Sequence, residues 1–158
     1  MCNMIFIPGN TPSLKNSKVK TSRGIFQSKT VTKYIRAIGI QSFSSSKKII
    51  KEYVDASRPN LFEKEKPGFD LMLKGKEFPL VIGFHQVRNS KRKFDFGNSV
   101  EILQDLMTAS DWIEDDNVSF MFPVPMYKDG TLIDPSNPRK EPLYSVDKDN
   151  PGCYVKVF

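Results

Sequence analysis

The segment LVIGFHQV, residues 80–87, predicts a strand centred on Ile82 and Phe84. It is rich in β-branched and aromatic residues, and a proline and an Asn-Ser pair bound it. It leads into KRKFDFGNSVEILQDLMTASDWIEDDNV, residues 91–118, where a basic tract, one acid, a helical pattern and an acidic turn follow one another. Because basic side chains hold phosphates and carboxylates hold hard cations, this order indicates metal-assisted chemistry on a polyanion.

Length and composition fit a single domain covering residues 1–158. A chain of 158 residues with 39% hydrophobic content can build its own core. No run approaches the ~18 consecutive apolar residues that cross a bilayer, and the first residues lack a secretory signal pattern. We therefore expect a cytoplasmic protein with no membrane partner, in which Cys2 and Cys153 are free thiols.

The positive charge is concentrated in the first third of the chain. Residues 1–50 hold nine Lys or Arg and no acid, whereas residues 51–158 hold fifteen basic and eighteen acidic residues. Such segregation creates a local positive field that attracts nucleic acid or another polyanion. The alternative is a solvated helix whose lysines serve solubility.

The first half of the chain predicts one strand and one helix. Residues 5–7 predict a strand that ends at Pro8 and Gly9. Ser28 is a plausible N-cap for a helix with the apolar positions Val31, Tyr34, Ile35 and Ile38, and residues 43–53 can extend it or form a second piece. Residues 57–78 are rich in Pro, Gly, Lys and Glu and predict a loop, with a possible short element at 69–73.

A second helix and two more strands are predicted further on. The helix begins near Asn98, with Glu101 as a capping-box partner and a buried stripe at Val100, Leu103, Leu106 and Met107. Val118, Phe120 and Phe122 alternate in a strand that Pro123 and Pro125 end, a long loop covers residues 123–151, and residues 153–158 form the last strand. We expect an α+β domain with a mixed sheet and two main helices.

These motifs resemble the RusA family of Holliday junction resolvases, also called crossover junction endodeoxyribonucleases. In that family a strand ends in a basic stretch and an Asp-x-Asp-Asn motif. A helix with an internal Asp follows, and a Trp-x-Asp-Asp-like turn precedes the next strand. Here Asp95-Phe96-Gly97-Asn98, Asp105 and Trp112-Ile113-Glu114-Asp115 occupy those places, and IPGNTPSLKNS, residues 7–17, is similar to the family's opening Pro-Ser-x-Asn segment.

The resemblance implies a RusA-like fold and a homodimeric, Mg²⁺-dependent endonuclease. Such an enzyme binds four-way DNA junctions and makes paired cuts in recombination and repair. By position, Asp95 and Asp115 would be catalytic metal ligands, and Asp105 would be a further acid of the site. A symmetric dimer supplies the two sites that paired incision requires.

Two positions depart from the family pattern. The second Asp of the motif is Gly97, and the family's catalytic lysine falls at Glu101. Mg²⁺ needs oxygen ligands in near-octahedral geometry, so Glu101 and Asp116 are the candidates to replace the missing ligand.

Each acid also has an alternative role. Asp95 can cap the helix, Asp105 can lie behind the metal ligands or on the surface, and Glu101 can complete the capping box. Asp116 becomes the ligand if the turn is shifted by one residue, and the whole turn can be a solvated corner.

The candidate phosphate contacts are the basic tract Lys91, Arg92 and Lys93, one of which can replace the missing lysine as the transition-state cation. Lys15, Asn16 and Lys18 form a second set. Solvated surface charge is the alternative for both sets. His85 favours a packed or hydrogen-bonded role in its strand. Trp112 is expected in the core or at a dimer interface.

Two rival functions remain at this stage. The chain can be a branched-DNA-binding protein that has lost efficient cleavage through Gly97 and Glu101. It can also be a nuclease that acts on another nucleic acid structure.

Overall fold

The computed structural model describes residues 3–13, 18–38 and 60–158. Within these ranges lie strands β1 Ile5–Pro8, β2 Lys18–Thr21, β3 Gly24–Gln27, β4 Leu80–Arg88, β5 Met121–Pro125, β6 Tyr144–Val146 and β7 Gly152–Val157, and helices α1 Lys29–Ala37, α2 Leu61–Leu73 and α3 Phe96–Ala109. The predicted α+β domain with a mixed sheet is confirmed. The described residues form three helices, where two main helices were predicted.

Strand β4 is the centre of the main sheet. It pairs antiparallel with β7 on one side, and β7 pairs antiparallel with β1. On its other side β4 pairs in parallel with β5 along residues 80–84 and with β6 along residues 86–88. The predicted strands at 80–87 and 153–158 are therefore confirmed. β4 extends one residue further, and β7 begins and ends one residue earlier than predicted.

One face of the sheet forms the hydrophobic core with the helices. Alternate residues of β1, β4 and β7 point to this face, because successive strand residues lie on opposite sides of a sheet. They join apolar residues from all three helices in one buried cluster. This arrangement explains why β4 is buried along most of its length.

The opposite face of β4 is covered by the segment after β5. A Cβ atom at Gly83 would lie 2.5 Å from the Phe158 ring and 2.8 Å from the Met126 sulfur, so a larger residue there would require these side chains to move. His85 is fully buried, with Nδ1 2.9 Å from the Met126 carbonyl oxygen and Nε2 2.6 Å from Ser145 Oγ. Burial lowers the pKa of His85 below 6.5. The prediction of a hydrogen-bonded structural role for this histidine is confirmed.

Helix α1 is the predicted amphipathic helix. The Ser28 hydroxyl accepts a hydrogen bond from the Val31 N–H at 3.4 Å, which is the expected N-cap contact. The predicted apolar positions are all buried: Val31, Tyr34, Ile35 and Ile38. The predicted extension through residues 43–53 lies outside the described residues.

Helix α2 corrects the prediction of a loop over residues 57–78. Asn60 caps it by accepting from the Phe62 N–H at 2.9 Å. Pro67 lies inside the helix, where proline costs about 3 kcal/mol. Packing offsets this cost, because the rings of Phe62 and Phe69 lie 5.1 and 4.6 Å from the Trp112 ring.

Trp112 is therefore a core residue of this domain, which is one of its two predicted roles. It is 3% exposed, and its Nε1–H donates to the Phe62 carbonyl oxygen at 2.7 Å. The turn after α3 is thereby fixed to the first turn of α2.

Helix α3 begins before the predicted start at Asn98. Asp95 is the N-cap, and its Oδ1 accepts from the Asn98 N–H at 3.1 Å. A carboxylate is favoured here because it binds the free N–H groups of the first turn and interacts well with the helix dipole. Glu101 lies six residues beyond this cap and is not a capping-box partner. The predicted stripe Val100, Leu103, Leu106 and Met107 is buried.

Strand β5 begins at Met121, three residues after the predicted start at Val118, and it contains Pro123 and Pro125, which were predicted to end it. The Leu80 N–H donates to the Phe120 carbonyl oxygen, and the Met126 N–H donates to the Phe84 carbonyl oxygen. In this parallel register the backbone nitrogens of residues 121, 123 and 125 point away from β4. The nitrogens of both prolines therefore point away from β4, so their lack of an N–H group removes no hydrogen bond between the two strands. They also block pairing of this edge with another strand.

Three further findings concern the remaining predictions. The β2–β3 hairpin was not predicted, and β6 lies within residues 123–151, which were predicted to be a loop. Cys153 is a buried free thiol, as expected, and Cys2 lies outside the described residues. Among the described residues, none of the helices has the length and apolar character needed to cross a membrane.

Candidate functional site

Three segments that are distant in sequence meet at the C-terminal end of β4. The Asn89 N–H donates to Asn10 Oδ1 at 3.2 Å, and Arg88 Nη1 donates to the Thr11 carbonyl oxygen at 2.7 Å. From the segment after β6, the Asp147 N–H donates to the Arg88 carbonyl oxygen at 2.9 Å. The loop after β1 and the loop before α3 therefore lie side by side. We call Asn10, Thr11, Arg88, Asn89 and residues 91–93 the β4-end surface.

Gly9 sets the direction of the first of these loops. Its φ of 107° lies in the left-handed region, and a Cβ atom there would lie 3.0 Å from the Tyr34 ring. Its N–H donates to the Pro151 carbonyl oxygen at 2.8 Å. Glycine is thus required where β1 turns toward the β4-end surface.

The basic tract is exposed to solvent. Lys91, Arg92 and Lys93 follow a turn in which the Arg92 N–H donates to Ser90 Oγ at 3.4 Å. Their charges extend the β4-end surface toward Asp95. Exposed cations of this kind contact phosphates through long-range attraction and counterion release.

Asp95 lies directly beyond the tract and is exposed. As the N-cap of α3, it accepts the Asn98 N–H with Oδ1. Gly97 stands beside this carboxylate, because a Cβ atom built on Gly97 would lie 3.4 Å from Asp95 Oδ1. Gly97 is not among the glycines with a positive φ, so its backbone accepts other residues. A side chain at position 97 would therefore be adjacent to Asp95.

The other two acids of α3 lie further along the helix. Glu101 is exposed and Asp105 is half-buried. Since an α-helix rises 1.5 Å per residue, Asp105 is ~15 Å along the axis from Asp95, too far for both carboxylates to bind one ion directly. Asp105 is nearer along the axis to the acidic turn than to Asp95.

The acidic turn has its own hydrogen-bond network. Asp115 Oδ1 accepts from the Asp116 N–H at 2.9 Å, and Asp115 Oδ2 accepts from Asn117 Nδ2 at 2.8 Å. Asn117 in turn accepts from the Ser119 N–H at 2.9 Å. Asp115 and Asp116 are half-buried, whereas Glu114 is exposed. These hydrogen bonds fix the conformation of the turn that precedes β5.

Asp95 and Asp115 lie beyond opposite ends of α3. The helix has 14 residues, which corresponds to ~21 Å. The acidic turn leads to Met121, which pairs with Leu80 at the start of β4, whereas Asp95 follows the end of β4. Among the residues that the structure describes, no three or more His, Cys, Asp or Glu side chains form a group able to hold a metal ion. The acids are thus divided between the two ends of α3.

The second set of predicted DNA contacts is only partly described. Lys15 and Asn16 lie outside the described residues, and of Lys18 only the backbone in β2 is described. The loop that precedes them, Asn10 to Ser13, does lie at the β4-end surface.

Arg88 was not among the predicted site residues. The sequence signal was weak, because one arginine at the end of a strand normally indicates a solvated strand end. Its contact with Thr11 joins residues 77 positions apart, and no short motif encodes such a contact.

The chain was also compared with known proteins. It matched no model of a protein family, no curated protein and no solved structure.

The cap contact of Asp95 yields a prediction about stability. Asp95→Ala removes the acceptor for the Asn98 N–H and should lower the free energy of unfolding by about 1 kcal/mol, whereas Asp95→Asn retains an acceptor and should cost less. Urea unfolding followed by circular dichroism measures both. Equal losses in the two variants would contradict the assignment of Asp95 as the N-cap.

Proposed function

We propose that this protein is a RusA-like, Mg²⁺-dependent endonuclease that cuts branched DNA, with the four-way junction as its substrate. The observation that carries the proposal is the β4-end surface. Two segments of the chain that resemble the family, the loop after β1 and the basic tract before Asp95, are neighbours there. Neighbouring positive and carboxylate groups are what metal-assisted phosphodiester cleavage requires.

The surface suits a nucleic acid backbone. Lys91, Arg92 and Lys93 are exposed, and the amide side chain of Asn10 lies next to their loop. Lysine, arginine and asparagine donors are common contacts to phosphate oxygens. A run of three cations matches a ligand with repeated negative charges better than it matches a small anion.

The carboxylates offer the oxygen ligands that Mg²⁺ prefers. This ion is commonly held by only one or two protein carboxylates together with waters, so either end of α3 can supply a site. One end offers Asp95, and the other offers Asp105 with Asp115 or Asp116. Bound Mg²⁺ supplies charge neutralisation at the phosphorus and activation of a water.

The rival function is binding of branched DNA without efficient cleavage. It is favoured by the division of the acids along α3 and by Gly97, which leaves Asp95 without the neighbouring carboxylate of the family motif. Both functions use the same β4-end surface, so cleavage, and not binding, separates them.

We further propose that the active form is a homodimer. Paired incision across a junction needs two sites, and twofold dimers are the commonest oligomers. Because the two prolines of β5 prevent strand addition at that edge, we expect a dimer contact made by side chains or by another edge. Light scattering after size-exclusion chromatography measures the oligomeric state.

The nuclease proposal predicts metal-dependent cutting. Labelled four-way junction and a linear duplex of the same sequence are incubated with the protein and either Mg²⁺ or EDTA, beside Asp95→Asn and Asp115→Asn. We expect junction cutting only with Mg²⁺, and the variant that abolishes cutting without loss of stability identifies the end of α3 that holds the metal. Tight binding of the junction with no cutting under any condition would favour the rival function, and equal cutting of junction and duplex would contradict the proposed substrate.

Position 97 provides a second prediction. Gly97→Asp places a carboxylate beside Asp95, whereas Gly97→Asn has the same shape without the charge. If Asp95 binds the metal, Gly97→Asp should lower the Mg²⁺ concentration for half-maximal cutting on the order of 10-fold, the size of effect that a supporting group has on metal affinity. A Mg²⁺ titration of the cutting rate measures this, and identical curves for the two variants would contradict metal binding at Asp95.

A further inference from the structure

Arg88 is held in place from two sides. Nη1 donates to the Thr11 carbonyl oxygen at 2.7 Å, and the central guanidinium carbon lies 4.8 Å from the centroid of the Phe94 ring. Phe94 is itself fixed, because its ring packs edge-on against Tyr144 with centroids 5.3 Å apart. The guanidinium therefore has a defined position before any ligand binds.

The charge of Arg88 has no counter-charge among the described residues. Arg88 takes part in none of the ion pairs seen between described residues, such as those of Lys66 with Asp70 and of Arg139 with Asp129. Arg88 is half-buried, and desolvation lowers the pKa of its guanidinium below the usual value. A buried charge is normally paired, since removing it from water without compensation is costly. The site around Arg88 is therefore suited to an anion.

Buried polar groups without partners accompany this cation. Gln86 lies two residues before Arg88 and so on the same face of β4, and it is only 1% exposed. Neither its amide nitrogen nor its amide oxygen has a hydrogen-bond partner among the described residues. The buried hydroxyl of Ser13, two residues after Thr11, is also without a partner there. Such groups are rare in folded proteins, and Gln86 therefore makes the interior beside Arg88 unusually polar.

We propose that Arg88 binds one phosphodiester oxyanion of bound DNA. The guanidinium has five N–H groups and the Thr11 contact uses one, so a planar fork remains for two phosphate oxygens. The identity of the anion as a DNA phosphate rests on the proposed function. Inorganic phosphate has the same chemistry, but the adjacent cations of residues 91–93 favour a polyanion.

Arg88 and the basic tract then have different roles. The tract provides general attraction through flexible, solvated side chains, whereas Arg88 provides one contact of fixed geometry. Arg88→Lys keeps the charge but loses the fork, and lysine does not replace arginine where two parallel donors are needed. Lys91→Gln is the matched control, because it removes an exposed charge of the same surface.

The first test measures junction binding in EDTA, so that cleavage does not enter. At physiological salt we expect Arg88→Lys to weaken binding by about 10-fold. We expect Lys91→Gln to weaken binding by less, and to reduce the slope of log K against log salt concentration by about one, the value for one lost phosphate contact. Equal binding by Arg88→Lys and the wild type would overturn the proposal. Unfolding curves establish that both variants are folded.

The second test observes Arg88 in the unaltered protein. The ¹⁵N NMR signal of its Nε–H is assigned by its absence in Arg88→Lys, and the protein is titrated with a short DNA duplex, with inorganic phosphate, and with chloride at equal ionic strength. A shift with DNA that chloride does not produce supports the proposal, whether or not phosphate also shifts the signal. No shift with DNA, or a shift with phosphate alone, overturns it.

These outcomes are independent of cleavage. If the protein never cuts a junction but the Arg88 signal shifts with DNA, the phosphate site is supported and the nuclease proposal is contradicted. If the protein cuts junctions but the Arg88 signal does not respond to DNA, the nuclease proposal is supported and the phosphate site is contradicted.

Discussion

Pairing of β4 on both sides is the constraint on which the rest of the structure depends. With β7 on one side and β5 and β6 on the other, the strand has no free edge along its paired residues. One of its faces contributes to the helix-covered core and the other is covered around Gly83 and His85. Its C-terminal end therefore has a fixed position. The loop after β1 is bound to it by hydrogen bonds that involve the Asn10 and Arg88 side chains, and the segment after β6 is bound by a backbone hydrogen bond.

The same constraint places the basic tract and the acidic turn at opposite ends of α3. α3 returns from the end of β4 toward its beginning, so Asp95 lies at the cationic end and the acidic turn at the other. The exposed basic tract lies at the β4-end surface, and Asp95 is the acid closest to it in sequence. In the proposed nuclease, the end of α3 that holds the metal would decide whether DNA is bound and cut at the same place.

The sequence predicted the elements whose signals are local. Ser28 and the apolar positions after it specify α1, and the β-branched run before residue 88 specifies β4. The elements that were missed depend on distant contacts. α2 tolerates Pro67 because Phe62 and Phe69 pack on Trp112, some 40 to 50 residues later, and the prolines of β5 are compatible with a strand only because they face away from β4.

The same distinction applies to the candidate site. The basic tract and Asp95 were visible as consecutive residues, although the choice between Asp95 and Asn98 as the cap was not, since both residue types accept this bond. Arg88 and its contact with Thr11 could not be found, because β1 and β4 meet only through β7. Lys15 and Asn16 remain predictions.

The central claim is that DNA binds at the end of β4. Hydrogen exchange measured with and without a bound four-way junction, in EDTA, tests it most directly. The account predicts slower exchange in the loop at residues 9–13 and in residues 88–95, with little change in the exposed loop at residues 133–141. Unchanged exchange in both of the first two segments, with protection confined to other parts of the chain, would contradict it.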